Sequence, residues 1–448
     1  MSVALARQLA AIVGPGHVST DPDVVAAHAV DWTGRYRGTG SALVRPASTG
    51  EVAAVMRTCR DAGAFVTVQG GRTSLVAGTV PEHDDVLLST ERLTELGAIE
   101  PSEKRIRVGA GVTLSALQRA AAGAGMLFGV DLASRDSATV GGMAATNAGG
   151  LRTVRYGNMG QQVLGLEVAL PDGSVLQRHS LVCRDKSGYD LTALFVGAEG
   201  TLGVITSLDL RLHPIPPHRV TALCAFTELN RLIATARVLR DVESIAALEV
   251  VDGRAIALAA ERLGADAPVH GDWVLLVELA AGTEQTARLA DLLDGLNPEP
   301  AVGVDAATRH RLWEVRESVA EVVAMFGPPL KFDVSLPLSA IAAFASDSAA
   351  LVARHAPEAV PVLFGHVGEG NLHLNVLRCD SEQEAVIYTA MMELVAAHGG
   401  NVSSEHGVGS RKRAYLKMSR QEADIVAMRA VKAAFDPTGY LNPAVLFD

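Results

Sequence analysis

The first half of this chain rarely runs apolar for long. Stretches such as "AFVTVQG", "DVLLST" and "RIRVGAG" are too short for an ordinary helix, and each is closed off by Gly, Pro or Asp. Such a pattern reads as many strands joined by tight, glycine-rich loops. At "LRLHPIPPHR", Pro214, Pro216 and Pro217 remove backbone donors over four residues, which places a domain boundary there. Beyond it the texture changes. Strand-like "RVTALCAF", "AALEVVD" and "DWVLLVELA" alternate with helix-like "ELNRLIATARVLRDV", "GRAIALAAERLG" and "TEQTARLADLLDGL", as expected of a sheet covered by helices. The extreme N-terminus, "MSVALARQLAAIVGPG", has helical periodicity but no basic cluster followed by a clean apolar run.

With 448 residues and 48% hydrophobic content the chain can bury a large core, and the length favours two or three domains. A net charge of −11 argues against nucleic acid or an anionic membrane as a partner, since both reward concentrated positive charge. Cys59, Cys183, Cys224 and Cys379 form no CxxC pair, so neither a disulfide framework nor a zinc ribbon is indicated and a reducing cytoplasm fits. No segment approaches the ~18 uninterrupted apolar residues of a membrane span.

Three glycine-rich stretches carry chemistry. "VTVQGGRTSLVAGTVP" follows a strand and sets Gly70 and Gly71 beside Arg72, Thr73 and Ser74. Adjacent glycines let consecutive amides turn toward one anion, as a pyrophosphate needs; a plain hairpin turn is the competing reading. The loop matches neither GxGxxG nor GxxxxGK[ST]. "SATVGGMAATNAGGLRTVRYGNMGQQVLGLEVALPDGSVL" offers small residues and glycines that a large planar ligand could approach closely, although packing of two strands would ask for the same. "KSGYDLTALFVGAEGTLGVIT" adds Gly197, Glu199, Gly200 and Gly203.

In series these stretches resemble the p-cresol methylhydroxylase and vanillyl-alcohol oxidase superfamily of FAD enzymes, most of all its D-2-hydroxy acid dehydrogenase branch, which includes D-lactate and D-2-hydroxyglutarate dehydrogenases. The resemblance covers nearly the whole chain. It implies an α+β fold: a two-subdomain FAD-binding domain over 1–215, an α/β substrate or cap domain over 216–405, and a C-terminal segment, 406–448, that packs back near the flavin. It further implies that the FAD pyrophosphate lies against Gly70, Gly71, Arg72, Thr73 and Ser74, with Gly141, Gly142, Asn147, Gly150 and Ile205 lining the rest and Asn442 near the flavin edge. Family loops commonly read GGNTG or GGGTG, whereas this one reads "GGRTS", so Arg72 either contacts phosphate or points to solvent. No His follows Gly70 or Gly71, so the flavin is expected to be noncovalent.

The second half holds "VLFGHVGEGNLHLNVL". Alternation puts His373 and Asn375 on one strand face, and the turn "VGEG" folds His366 back toward them. Further on, "GGNVSSEHGVGSRK" supplies Glu405 and His406. Two imidazoles and a carboxylate are a common set for a divalent catalytic metal, against which stands the reading of ordinary hydrogen-bonded polar residues at strand ends. The resemblance implies that His366, His373 and Glu405 bind a metal, usually zinc, that His406 takes the substrate hydroxyl proton, and that Asn375 lies near substrate. In "HRLWEVRESVAEVVAMFGPPLKFDVSLP", Trp313, Val315, Val319, Val322 and Val323 make an apolar helical stripe with Arg316 beside it, and Lys331, Asp333 and Ser335 share a strand face. Arg316 and Lys331 match family residues that hold the substrate carboxylate. Four residues after the arginine, where 2-hydroxyglutarate enzymes carry a substrate-holding threonine, this chain has Ala320, which favours D-lactate or another monocarboxylate.

The expectation is therefore an FAD- and metal-dependent dehydrogenase that oxidises a small D-2-hydroxy acid and passes electrons to an electron-transfer protein or a quinone, with a homodimer among its possible states. A metal-dependent hydrolase and a non-catalytic flavin-binding protein remain as alternatives from other classes.

Overall fold

The computed structural model describes residues 1–179, 182, 185–264, 267–327 and 329–447. The chain divides into two units. The first comprises Met1–Gly149, Tyr156–Ile215 and His406–Asp448; the second comprises Gly150–Arg155 and Pro216–Glu405.

In the first unit, one sheet runs in the order Val18–Ser19, Gly40–Val44, Asp85–Ser89, Val66–Gln69. Its last three strands are parallel, and Val66 continues the pairing by a parallel bridge to Leu441. A second, antiparallel sheet runs Arg105–Gly109, Val204–Arg211, Val163–Ala169, Val175–Arg178. The expectation of strands and loops alone needs correction, because substantial helices span Thr49–Asp61 and Leu114–Gly123 as well as Val3–Val13. Physically the first of these is well specified. Ser48 caps it by accepting from the Glu51 N–H, and Val52, Val55, Met56 and Cys59 form one fully buried stripe at helical spacing.

The second unit is a seven-stranded sheet in the order Ala301–Gly303, His218–Phe226, Trp273–Ala281, Ile245–Asp252, Val360–Gly365, Asn371–Leu377, Leu330–Ser335, with every neighbouring pair antiparallel. Helices Gly253–Leu263 and Ala306–Met325 pack on one face, where Leu312, Val315, Val319 and Val323 meet Val251, Val362 and Phe364. The sheet covered by helices is thus as expected, and the mixed architecture is the α+β class read from the sequence. Cys59, Cys224 and Cys379 are free thiols, while Cys183 lies outside the described residues. Among the described residues no helix is long and apolar enough to cross a membrane.

Candidate active site

The register of three adjacent strands builds the cluster. Phe364 and Asp333 flank His373 on either side, and Lys331 stands opposite Asn375. Alternation then puts Lys331, Asp333, His373 and Asn375 on the sheet face that carries the Ala306–Met325 helix. His366 joins them through a reversal that only glycine permits. Gly365 has φ +156° and Gly370 φ +76°, and a Cβ at either would lie 2.4 Å from the Asn371 carbonyl oxygen or 2.1 Å from that of Leu336. The turn leaves the His366 and His373 rings 5.4 Å apart, nearly perpendicular at 89°.

Glu405 stands between the two imidazoles. One oxygen is 3.5 Å from His366 Nε2 and the other 3.7 Å from His373 Nε2. A tetrahedral ion with bonds of about 2.1 Å holds its donors about 3.4 Å apart, so these donors fit such an ion with little rearrangement. Asp333, expected only as a strand-face residue, adds a further oxygen: Asp333, His373 and Glu405 each present a ligand atom within 4.8 Å of the others. Its Oδ2 also accepts from the backbone N–H groups of Ser404 and Glu405, at 3.2 and 3.0 Å.

Electrostatics here are dominated by a carboxylate that the sequence reading passed over. Glu249 is completely buried; its Oε1 lies 2.6 Å from His366 Nδ1, and its Oε2 is 3.0 Å from both Nε and Nη2 of Arg316. Burial alone would lower the His366 pKa, but Glu249 and Glu405 outweigh it and push His366 up to about 10. Burial would raise Glu405, yet His366 and then His373 hold it at about 2. Arg316 is itself buried, its guanidinium 4.8 Å over the Phe364 ring, with one edge taken by Glu249. A glutamate inside the otherwise apolar run "AALEVVD" was the available signal, since a buried charge requires a partner. Asn375 is 3% exposed, whereas Lys331 is exposed.

In the first unit the glycines of two loops interlock. A Cβ on Gly70 would stand 2.5 Å from Thr139 Oγ1, one on Gly71 1.9 Å from the Ser137 carbonyl oxygen, and one on Gly141 2.5 Å from Ala110 Cβ. The amides differ in availability. Gly141 N–H donates to the Ala110 carbonyl and Gly142 N–H to Thr139 Oγ1. Among the described residues no protein oxygen accepts from the backbone N–H of Gly70, Gly71, Arg72, Thr73 or Ser74. Five successive half-buried donors are a fitting cradle for a pyrophosphate. The Arg72 side chain donates through Nη1 to the Ala27 carbonyl at 2.8 Å.

The other expected cofactor residues fall on the same unit, except Gly150. Asn147, at φ +52°, accepts from the Gly160 N–H; Ile205 is buried in the antiparallel sheet; Gly150, at φ +119°, belongs to the second unit. Asn442 bolts the C-terminus to the core: Oδ1 accepts from Val68 N–H and Nδ2 donates to the Glu199 carbonyl. His406 follows Glu405 directly and opens the returning segment of the first unit. Glu199, also not anticipated as a site residue, fixes the loop after it by accepting from the Val408 and Gly409 N–H groups, both at 2.8 Å.

Two family patterns match this chain: "FAD binding domain" over residues 40–178 and "FAD linked oxidases, C-terminal domain" over residues 215–446. The chain belongs to the FAD-linked oxidase family. Bovine mitochondrial D-2-hydroxyglutarate dehydrogenase is 36% identical over 99% of this chain and 84% of its own, and the enzyme of the same name from Stutzerimonas stutzeri is 32% identical over 99% of both. A putative mitochondrial D-lactate dehydrogenase from Schizosaccharomyces pombe is 32% identical over 95% of this chain and 85% of its own. Among solved structures, p-cresol methylhydroxylase superposes with a TM-score of 0.82 at 16% identity, covering 99% of this chain and 96% of that one. For 4-ethylphenol oxidase from Gulosibacter chungangensis the values are 0.80 and 18%, covering 99% and 97%. The fold expectation is met on both counts.

Proposed function

We propose that the protein is an FAD-dependent dehydrogenase that oxidises a D-2-hydroxy acid to the 2-oxo acid with the help of a divalent metal. The observation that carries this reading is the convergence of His366, His373 and Glu405, with donor spacings suited to one ion, in a chain whose family binds FAD. That convergence speaks against a flavin-binding protein without catalysis, and the FAD-binding domain leaves a pure hydrolase without a use for half the chain.

FAD, held noncovalently with its pyrophosphate on the amides of Gly70–Ser74, supplies the acceptor for the hydride of substrate C2. A divalent ion, zinc by expectation, held by His366, His373 and Glu405 with Asp333 adjacent, supplies a Lewis acid for the substrate oxygens. The remaining work falls to the chain's own residues. His406 accepts the hydroxyl proton on an imidazole nitrogen. Arg316 offers the substrate carboxylate the guanidinium edge that Glu249 does not occupy, and Lys331 and Asn375 orient the acid. To serve as a ligand His366 would have to be neutral, its Nδ1 hydrogen kept on Glu249 and its Nε2 bare. We assign the protein to the cytoplasm, with an electron-transfer protein or quinone as acceptor.

Within the class, two observations pull apart. The names of the relatives favour D-2-hydroxyglutarate. Ala320, one helical turn after Arg316, offers no hydroxyl to a second carboxylate and favours a monocarboxylate such as D-lactate. A hydrogen bond to a charged group is worth ~1.5–3 kcal/mol, enough to decide between them. A panel of D- and L-2-hydroxy acids scored by anaerobic bleaching of the flavin tests the whole reading. Bleaching by D-acids with D-lactate ahead is expected. No bleaching by any D-2-hydroxy acid refutes the activity, and a tenfold preference for D-2-hydroxyglutarate refutes the Ala320 argument alone.

A further inference from the structure

A buried glutamate that contacts neither substrate nor metal still touches both sets of residues that would. Glu249 sits mid-strand in Ile245–Asp252, one strand over from Val360–Gly365, and shares with Val251 the face that packs under the Ala306–Met325 helix. Its two oxygens are divided: one accepts from His366 Nδ1, the other from Arg316.

We propose that Glu249 is a positioning residue that sets the affinity of the metal site: by accepting the Nδ1 hydrogen of His366 it fixes the tautomer and ring orientation that leave Nε2 aimed at Glu405. This rests on the reading of His366, His373 and Glu405 as a metal site. Without that acceptor the imidazole can place its hydrogen on either nitrogen and turn about χ2, and half of those arrangements present N–H, not a lone pair, to the ion. A carboxylate behind a ligating histidine also raises its basicity, and loss of such a partner typically weakens metal binding about 10- to 100-fold. The same carboxylate anchors Arg316, so its loss loosens the residue assigned to the substrate carboxylate together with the ligand. The partner histidine has a weaker counterpart, Asp333, 3.8 Å from its Nδ1.

The neighbouring strand provides a matched control. Glu278 is as deeply buried as Glu249 and is bound by Arg219, Thr221 and Trp313, but by no histidine. Removing either carboxylate takes a buried acceptor from an arginine, Arg316 buried and Arg219 about a third exposed (side chain 34%), so Glu278→Gln reports the general cost of losing a buried carboxylate; only Glu249 touches a proposed ligand.

The test uses FAD-loaded enzyme stripped of metal and titrated with Zn²⁺ against a chromophoric chelator, with flavin content and Tm followed in parallel. Glu249→Gln keeps shape and removes charge. Glu249→Asp keeps charge but is too short to hold both partners, so it serves if the first variant folds poorly. Both are expected to bind Zn²⁺ about 10- to 100-fold more weakly than wild type at unchanged flavin content, with Glu278→Gln within twofold of wild type. A Glu249 variant that folds and binds within twofold overturns the proposal, as does an equal loss in Glu278→Gln. Wild-type enzyme that takes up no stoichiometric divalent ion overturns the metal reading itself, a different result from wild-type binding that the Glu249 variants share.

Discussion

Gly71→Ala places one methyl group where the structure has least room for it. The new Cβ would stand 1.9 Å from the Ser137 carbonyl oxygen, 2.8 Å from its carbon and 3.1 Å from Ala138 Cα, all backbone atoms that no rotamer change can move aside. Ordinary contact between carbon and oxygen begins near 3.2 Å, so the loop that carries Gly70–Ser74 must separate from residues 137–138 by about 1.3 Å. Overpacking of this kind costs about 1–3 kcal/mol. If borne by the fold, that lowers Tm by ~2–4 °C per kcal/mol; if borne by the loop, it displaces the five amides proposed to hold the pyrophosphate and weakens FAD by about 5- to 150-fold. Gly123→Ala is the control. It lies at the end of the Leu114–Gly123 helix, its Cβ meets nothing within 4 Å, and alanine favours helix. Flavin absorbance per protein after gel filtration, and Tm with and without added FAD, separate the two routes. Gly71→Ala that keeps full flavin and a Tm within a degree of wild type refutes the reasoning.

Three further outcomes are expected. His406→Asn should lower kcat by about 10²–10⁴ with flavin still bound, and unchanged turnover removes it as the base. Prolonged chelation should abolish turnover while the protein stays yellow, and acid precipitation should then release that FAD into the supernatant. At acid pH, Asp209 matters: burial would raise its carboxyl, but His179 and Arg107 hold it at about 2, below the 3.8 it has when free. A depressed folded pKa contributes stability above the unfolded value that is lost as pH falls through the folded one, about 2 kcal/mol here at 1.36 kcal/mol per unit. Asp209→Asn should therefore lower Tm at pH 6, with the gap to wild type closing between about pH 4 and 2; a gap independent of pH contradicts the assignment.

The convergence of His366 on His373 was legible because the spacing around His373 is a strand pattern. In "NLHLNVL" alternation alone pairs His373 with Asn375, and the glycines of "HVGEG" announce the reversal that the positive φ of Gly370 carries out. Pairing across strands was not legible. Nothing local in "AALEVVD" or "KFDVS" says that Glu249 will meet His366 or that Asp333 will stand opposite His373, because register is fixed by the whole sheet. Other misses were avoidable. "STGEVAAVMRTC" carries a cap and an i, i+3, i+4, i+7 stripe, and the surrounding glycines drew attention from it. The role of Gly141 and Gly142 was ambiguous for a physical reason: close packing of two loops and close approach of a planar ligand ask for the same missing Cβ. Their amides are spent within the protein, which removes them as anion donors and leaves both readings of the missing Cβ standing.

Charge balance ties the site together. The side chains from Arg316 to Asp333 form a chain of contacts: Arg316, Glu249, His366, Glu405, then His373 and Asp333. Three carboxylates face one arginine and one imidazolium, a net of −1 before His373 is counted. Such a cluster is a poor source of stability, since desolvating five charges costs more than their mutual attraction returns. It is a good trap for a cation. On the proposed reading, loss of the His366 proton would take the balance to −2, which one divalent ion would neutralise. Under that proposal the proton and the ion would be alternative occupants of one electrostatic site, and metal affinity is expected to strengthen as pH rises. The same reasoning explains why neutralising Glu249 is predicted to hurt metal binding twice, once through the tautomer of His366 and once through the lost unit of negative charge, whereas neutralising Glu278, paired one-to-one with Arg219, does neither.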